Sequence, residues 1–178
     1  MRFRRRTGLL ALSAAAAALA GLGVGAGTAQ AETGFTINGF GTGQCLVSDA
    51  GNTFVQVTTC NKLAPNQQWK VLPNIGSGLI TLENIGTQKC MGVDNNLNRA
   101  SILLLPCDLG KVAQGWQKIT TSQTGLVMLK SGFGGNKCLD RPTEFTRDFE
   151  PMQLWDCSDP HDSIFHSTHD EQRMKFGS

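Results

Sequence analysis

The sequence predicts an all-β domain with threefold internal symmetry, best built as a barrel capped by hairpins. Three observations predict it. One cysteine-centred motif recurs three times at near-equal spacing. The segments around it are short β-prone runs separated by Gly, Asn and Ser clusters. The six cysteines fall two to each copy. No segment of the repeat region carries a helical period.

The copies align on Gly43-Gln44-Cys45-Leu46, Gln88-Lys89-Cys90-Met91 and Asn136-Lys137-Cys138-Leu139. The first cysteines are 45 and 48 residues apart, and a second cysteine follows each after 15, 17 and 19 residues. Seven residues beyond the second cysteine come Gln67-Gln68-Trp69 and Gln114-Gly115-Trp116. A fixed period of this length marks one structural unit used repeatedly. The units run over about 34–78, 79–124 and 125–178.

Each unit reads as four short strands. The first is an apolar run: Phe35-Thr36-Ile37, Ile80-Thr81-Leu82 or Leu126-Val127-Met128-Leu129. Such runs favour extended backbone, and the intervening Gly/Asn/Ser clusters favour turns. A strand at the first cysteine follows, then one ending near the second. The fourth starts at Gln-x-Trp. The last two are clearest in Phe54–Thr58 with Trp69–Leu72, and in Ile102–Leu105 with Trp116–Thr120. About twelve strands result. Propeller blades also have four strands, but three blades are too few to close.

Six cysteines permit fifteen pairings in principle. The repeat places one bridge in each copy: Cys45–Cys60, Cys90–Cys107 and Cys138–Cys157. Loops of this size contribute roughly 3 kcal/mol each by the loop-entropy account. That offsets part of the backbone entropy lost by a chain with 21 glycines.

The N-terminus carries a basic head, Met1-Arg2-Phe3-Arg4-Arg5-Arg6, then an Ala/Leu/Gly-rich run to Ala26, then Ala29-Gln30-Ala31. This order predicts a secretory signal peptide over 1–31, with the domain occupying 32–178. Arg5-Arg6 is also compatible with twin-arginine export. The domain would then be 147 residues, and the protein would be secreted into a disulfide-permissive compartment. The leader holds four Arg and no acid, so 12 Lys/Arg remain against 14 Asp/Glu, and the formal charge moves from +2 to −2. Nothing in that balance points to nucleic acid or, after cleavage, to an anionic membrane.

The Cys-Leu, Cys, Gln-x-Trp pattern resembles the ricin B-chain type lectin domain, a β-trefoil, over Phe35 to Phe176. The resemblance implies a secreted module that binds a galactose- or xylan-type glycan and does not catalyse, with no cofactor. It implies that Gln67, Trp69, Gln114 and Trp116 are structural. It also implies what a sugar site contains. A carboxylate just after Cys-Leu accepts bonds from two sugar hydroxyls, and its charge strengthens them. An aromatic two residues before the second cysteine stacks on the sugar's C–H face. A polar residue beside the Gln of Gln-x-Trp adds a bond.

By these positions the first repeat offers Val47, Thr58 and Asn66, with Asp49 two residues late as a weaker substitute. The second offers Gly92, Leu105 and Ala113, none of them useful. The third offers Asp140, and Gln153 with Trp155 on one face of a strand, while Leu154 points inward. Its Gln-x-Trp is altered to Gln172-Arg173-Met174, 15 residues after Cys157, with Glu171 where an Asn is usual. The carbohydrate-binding candidates are therefore Asp140, Gln153, Trp155, Glu171 and Gln172, with Asp49 and Asn66 behind them. The loop, about eight residues longer than in the other repeats, holds His161, His166 and His169 among Asp159, Asp162 and Asp170. Their spacing matches no metal fingerprint, and a solvated loop is the expectation. The competing function is a protein-binding trefoil, such as a protease inhibitor or toxin-associated subunit, whose candidate loop is Pro142–Pro151 with Arg147. No nucleophile–base motif supports an enzyme.

Overall fold

The computed structural model describes residues 34–39, 41–48, 51, 53–74, 78–142, 147–159 and 172–177, all within the compact unit Glu32–Ser178. The first repeat supplies β1 (Thr36–Gly39), β2 (Gln44–Ser48), β3 (Val55–Thr59) and β4 (Trp69–Pro73). The second supplies β5 (Ile80–Asn84), β6 (Lys89–Gly92), β7 (Leu103–Pro106) and β8 (Trp116–Thr120). The third supplies β9 (Val127–Ser131), β10 (Lys137–Asp140), a two-residue β11 (Glu150–Pro151), β12 (Gln153–Asp156) and β13 (Met174–Gly177). The four strands per repeat lie where the apolar runs and cysteines place them. The extra strand, β11, had no signal in the sequence pattern.

The first and last strands of the repeats close a six-stranded barrel. β1 meets β4 at Phe35 and Trp69, and β4 pairs with β5. β5 meets β8 at Ile80 and Trp116, and β8 pairs with β9. β9 meets β13 at Val127 and Met174, and β13 pairs back onto β1. Closure leaves no barrel edge open to another chain. The middle strands form the hairpins β2–β3, β6–β7 and β10–β12. This is the β-trefoil arrangement.

The hairpins meet around the pseudo-threefold axis through a ring of backbone hydrogen bonds. Val55 N–H donates to the Ile102 carbonyl at 2.8 Å, Ile102 N–H to that of Met152 at 3.2 Å, and Met152 N–H to that of Val55 at 2.8 Å. Strand alternation then sorts the side chains. The cross-strand pairs Leu46–Val57, Met91–Leu104 and Leu139–Leu154 all point inward and are buried. They join Trp69, Trp116, Ile37, Leu82, Leu129 and Met174 in one core. Each hairpin is closed by the disulfide the repeat predicted: Cys45–Cys60, Cys90–Cys107 and Cys138–Cys157, each with a Cα–Cα distance of 4.9 Å.

Candidate functional site

The outward face of each hairpin is where the three repeats differ. On that face the register sets Asp140 opposite Gln153 and Cys138 opposite Trp155. The same positions hold Val47 opposite Gln56 and Cys45 opposite Thr58 in the first repeat. In the second they hold Gly92 opposite Leu103 and Cys90 opposite Leu105. A third column comes from a neighbouring repeat: Ser101 bridges Gln153 and Phe54 bridges Leu103, while Pro151 pairs with Gln56. The face is therefore a small grid assembled from two repeats.

The grids have different chemistry. The second is apolar, with Leu103, Leu105 and Phe54, and a side chain in place of Gly92 would be crowded. A Cβ at Gly92 would sit 3.0 Å from the Ala113 carbonyl oxygen and 3.1 Å from Leu105 Cδ1. The first holds Val47 and Gln56, and the Gln56 amide donates to the Phe149 carbonyl at 2.8 Å. The segment carrying Phe149 lies along β3 and is pinned there. Asp148 accepts from Thr59 N–H at 2.8 Å and from Gln44 Nε2 at 3.3 Å. Desolvation raises the Asp148 pKa, but hydrogen bonds from Gln44, Thr59 and Thr58 together outweigh it and hold the carboxyl below its ordinary value.

The third grid brings Asp140, Gln153 and Trp155 together. Gln153 Nε2 donates to Asp140 Oδ2 at 2.7 Å. Asp140 is only 7% exposed, so most of its surface is shielded from water. Trp155 is half-buried and Leu154 fully buried, as the alternation requires. The guanidinium of Arg99 lies 5.8 Å from the Trp155 ring centroid. At the outer end of the hairpin Lys137 Nζ is 2.6 Å from Asp156 Oδ1 and donates to Asn98 Oδ1 at 2.7 Å, and Asn98 Nδ2 donates to Asp156 Oδ2 at 2.8 Å. The bonds from Lys137 and Asn98 keep the Asp156 carboxyl below its ordinary value against a weaker opposing desolvation.

The three Gln side chains behave alike. Gln67 Oε1 accepts from Asn61 N–H at 2.7 Å and its Nε2 donates to the Thr59 carbonyl at 3.1 Å. Gln114 spans Asp108 N–H and the Pro106 carbonyl, both at 2.9 Å. Gln172 spans Ser158 N–H and the Asp156 carbonyl, also at 2.9 Å. Each clips the backbone on either side of the second cysteine. Gln172 is fully buried, and its Oε1 also accepts from the Ser158 hydroxyl at 3.2 Å. Trp69 and Trp116 are buried, and their Nε1–H groups donate to the Leu46 and Met91 carbonyls at 3.2 and 3.1 Å. Met174 fills the third position without an N–H to donate.

Other candidates fall apart from this cluster. Asn66 sits in the turn Pro65–Gln67, where its carbonyl accepts from Asn84 Nδ2 at 2.9 Å. Asp49, Glu171 and the three His residues lie outside the described residues. The residues that the sequence reading missed are Asn98, Arg99 and Ser101. Their signal was positional: Arg99 stands three residues before the axial Ile102, as Phe149 stands before Met152, and both have positive φ, 69° and 67°.

Residues 33–163 match the ricin-type beta-trefoil lectin domain. No curated protein sequence matches the chain. Among solved structures, the Macrolepiota procera ricin B-like lectin in complex with lactose aligns with TM-score 0.63 and 16% identity, over 83% of this chain and 98% of that one. The Haemophilus ducreyi cytolethal distending toxin aligns with TM-score 0.65 and 18% identity, over 84% of this chain and 85% of that one. The exo-beta-1,3-galactanase from Clostridium thermocellum aligns with TM-score 0.63 and 18% identity, over 82% of this chain but 30% of that one. At these identities the likeness is one of fold.

Proposed function

The chain belongs to the ricin-type beta-trefoil lectin domain family, and from that membership we propose that it is a secreted carbohydrate-binding module with one working pocket, on the outward face of the third hairpin. The observation that carries the reading is the cross-strand pair Asp140–Gln153 with Trp155 beside it. Asp140 accepts from two adjacent sugar hydroxyls, Gln153 orients its carboxylate, and Trp155 stacks on the apolar face of the ring. A small apolar platform with convergent polar groups is the ordinary form of such sites. Glu171 remains part of the proposal as a further acceptor; Gln172 does not.

Secretion fits the leader at 1–31 and the three disulfides, which persist in oxidising compartments. Among the described residues, no helix is long and apolar enough to cross a membrane. The inhibitor reading loses its main feature, because the Arg147–Pro151 part of its loop is laid along β3.

Single-site binding of this kind should measure about −4 to −6 kcal/mol, near millimolar to tens of micromolar. The test is calorimetric titration with galactose, lactose and xylan oligosaccharides against wild type, Asp140→Ala and Trp155→Ala. Binding by wild type and a loss of at least about tenfold in each variant is expected, that is, about 1.4 kcal/mol or more. Equal binding by the variants sinks the site assignment.

A further inference from the structure

We infer that the third-repeat pocket takes an acidic sugar, with Arg99 receiving the anionic substituent. This rests on the carbohydrate-binding reading above and names the substrate class of that same site. The bridge Ser101–Gln153 and the bond from Arg99 N–H to the Leu154 carbonyl set a short antiparallel pairing along the free side of β12. Continuing that register puts Arg99 directly beside Trp155. Its guanidinium carbon lies over the ring, 5.8 Å from the centroid, and a sugar seated on Trp155 meets it there. β12 thus runs between two edges of opposite charge: Asp140 on the β10 side and Arg99 on the other.

A pyranose seated on Trp155 presents hydroxyls to one edge and the substituent on its far side to the other. Asp140 suits the hydroxyls and repels an anion. Arg99 is an exposed, planar, permanently charged fork that matches a carboxylate or sulfate and tolerates stacking on an aromatic ring.

The neighbouring charges do not compete for this role. Lys137 is held by Asp156 and Asn98. Asp94, on the same loop as Arg99, accepts from its neighbour Asn95 at 2.8 Å. Among the described residues no carboxylate lies within ion-pair distance of Arg99. The corresponding position of the first grid is Phe149, exposed and apolar, so the cation is peculiar to the repeat that carries the carboxylate and the Trp.

The test is titration of the full mature chain with three oligosaccharide classes matched in length: neutral xylan or galactan, uronate-bearing glucuronoxylan or oligogalacturonide, and sulfated galactan. Arg99→Ala, Arg99→Lys and Asp140→Ala are measured beside wild type. Wild type should bind at least one anionic class about tenfold more tightly than its neutral counterpart, with the preference shrinking as salt rises. Arg99→Ala should erase that preference while leaving neutral binding in place, and Arg99→Lys should restore part of it. Asp140→Ala should weaken all classes. The uronate and sulfate arms identify which anion is read. Equal wild-type affinity for neutral and anionic glycans overturns the inference while leaving the pocket standing. So does tighter neutral binding in Arg99→Ala, which would make Arg99 a cover on the ring. Binding that ignores Asp140→Ala, or no binding at all, overturns the pocket and the inference together.

Discussion

Replacing Gln172 by Ala separates a structural clip from a ligand contact. Three hydrogen bonds disappear: those from Ser158 N–H and to the Asp156 carbonyl, each 2.9 Å, and one from the Ser158 hydroxyl at 3.2 Å, which can turn to water instead. These backbone groups are partly accessible to water, so each costs about 1 kcal/mol, the low end for an unmet group. The side chain is fully buried, and losing its two methylenes costs about 1.6 kcal/mol more at about 0.8 each. The total is about 3–4 kcal/mol, or roughly 10 °C in Tm for a domain of this size. Urea unfolding followed by tryptophan fluorescence measures it, with Gln114→Ala as the internal control, because Gln114 makes the same two bonds in a repeat without a polar face. The two variants should lose similar stability, and folded Gln172→Ala should keep most of its glycan affinity. An unchanged midpoint with abolished binding would refute the clip and return Gln172 to the ligand.

Two further outcomes follow from the same geometry. Trp116→Phe removes the donor to the Met91 carbonyl at 3.1 Å and opens a void in the core, so it should cost about 2–4 kcal/mol by urea denaturation; a loss under about 0.5 kcal/mol would contradict the buried bond. The depressed pKa of Asp148 stabilises the fold above the ordinary carboxylate value of 3.8 and is lost as pH falls through the lower folded value. The urea midpoints of wild type and Asp148→Asn should therefore differ at pH 6 and converge near pH 2, and a constant gap would show that ionisation is not what holds this segment.

The positions the fold needs were legible because they recur. Leu46, Met91 and Leu139 follow a cysteine and point inward; Gln67, Gln114 and Gln172 clip the same backbone step. Each is demanded by a local geometry that the chain builds three times, so the requirement appears three times in the sequence. The pair Asp140–Gln153 and the outward Trp155 were legible for a different reason. They lie on one hairpin, where alternation and register follow from strand spacing alone. For Gln172, motif position alone does not tell whether the amide turns toward backbone or ligand. β11 and Arg99 were hidden because their partners lie in another repeat: Pro151 pairs with Gln56, and Arg99 packs on Trp155, 56 positions away.

That last point explains how a symmetric scaffold carries an asymmetric face. The barrel, the axial ring of hydrogen bonds and the clips constrain the inward residues of all three repeats equally. The outward grid is constrained by none of them, and one of its three columns belongs to a different repeat. A change at the loop before one axial residue therefore alters the face of another hairpin without touching its core. Phe54 makes the second grid apolar, Phe149 and Asp148 strap the first, and Arg99 charges the third. The specificity of the third hairpin is on this account set as much by the second repeat as by its own strands. Exchanging Arg99 and Phe149 should thus change which glycans bind while leaving the unfolding midpoint nearly fixed, since both residues are exposed and have nearly the same positive φ.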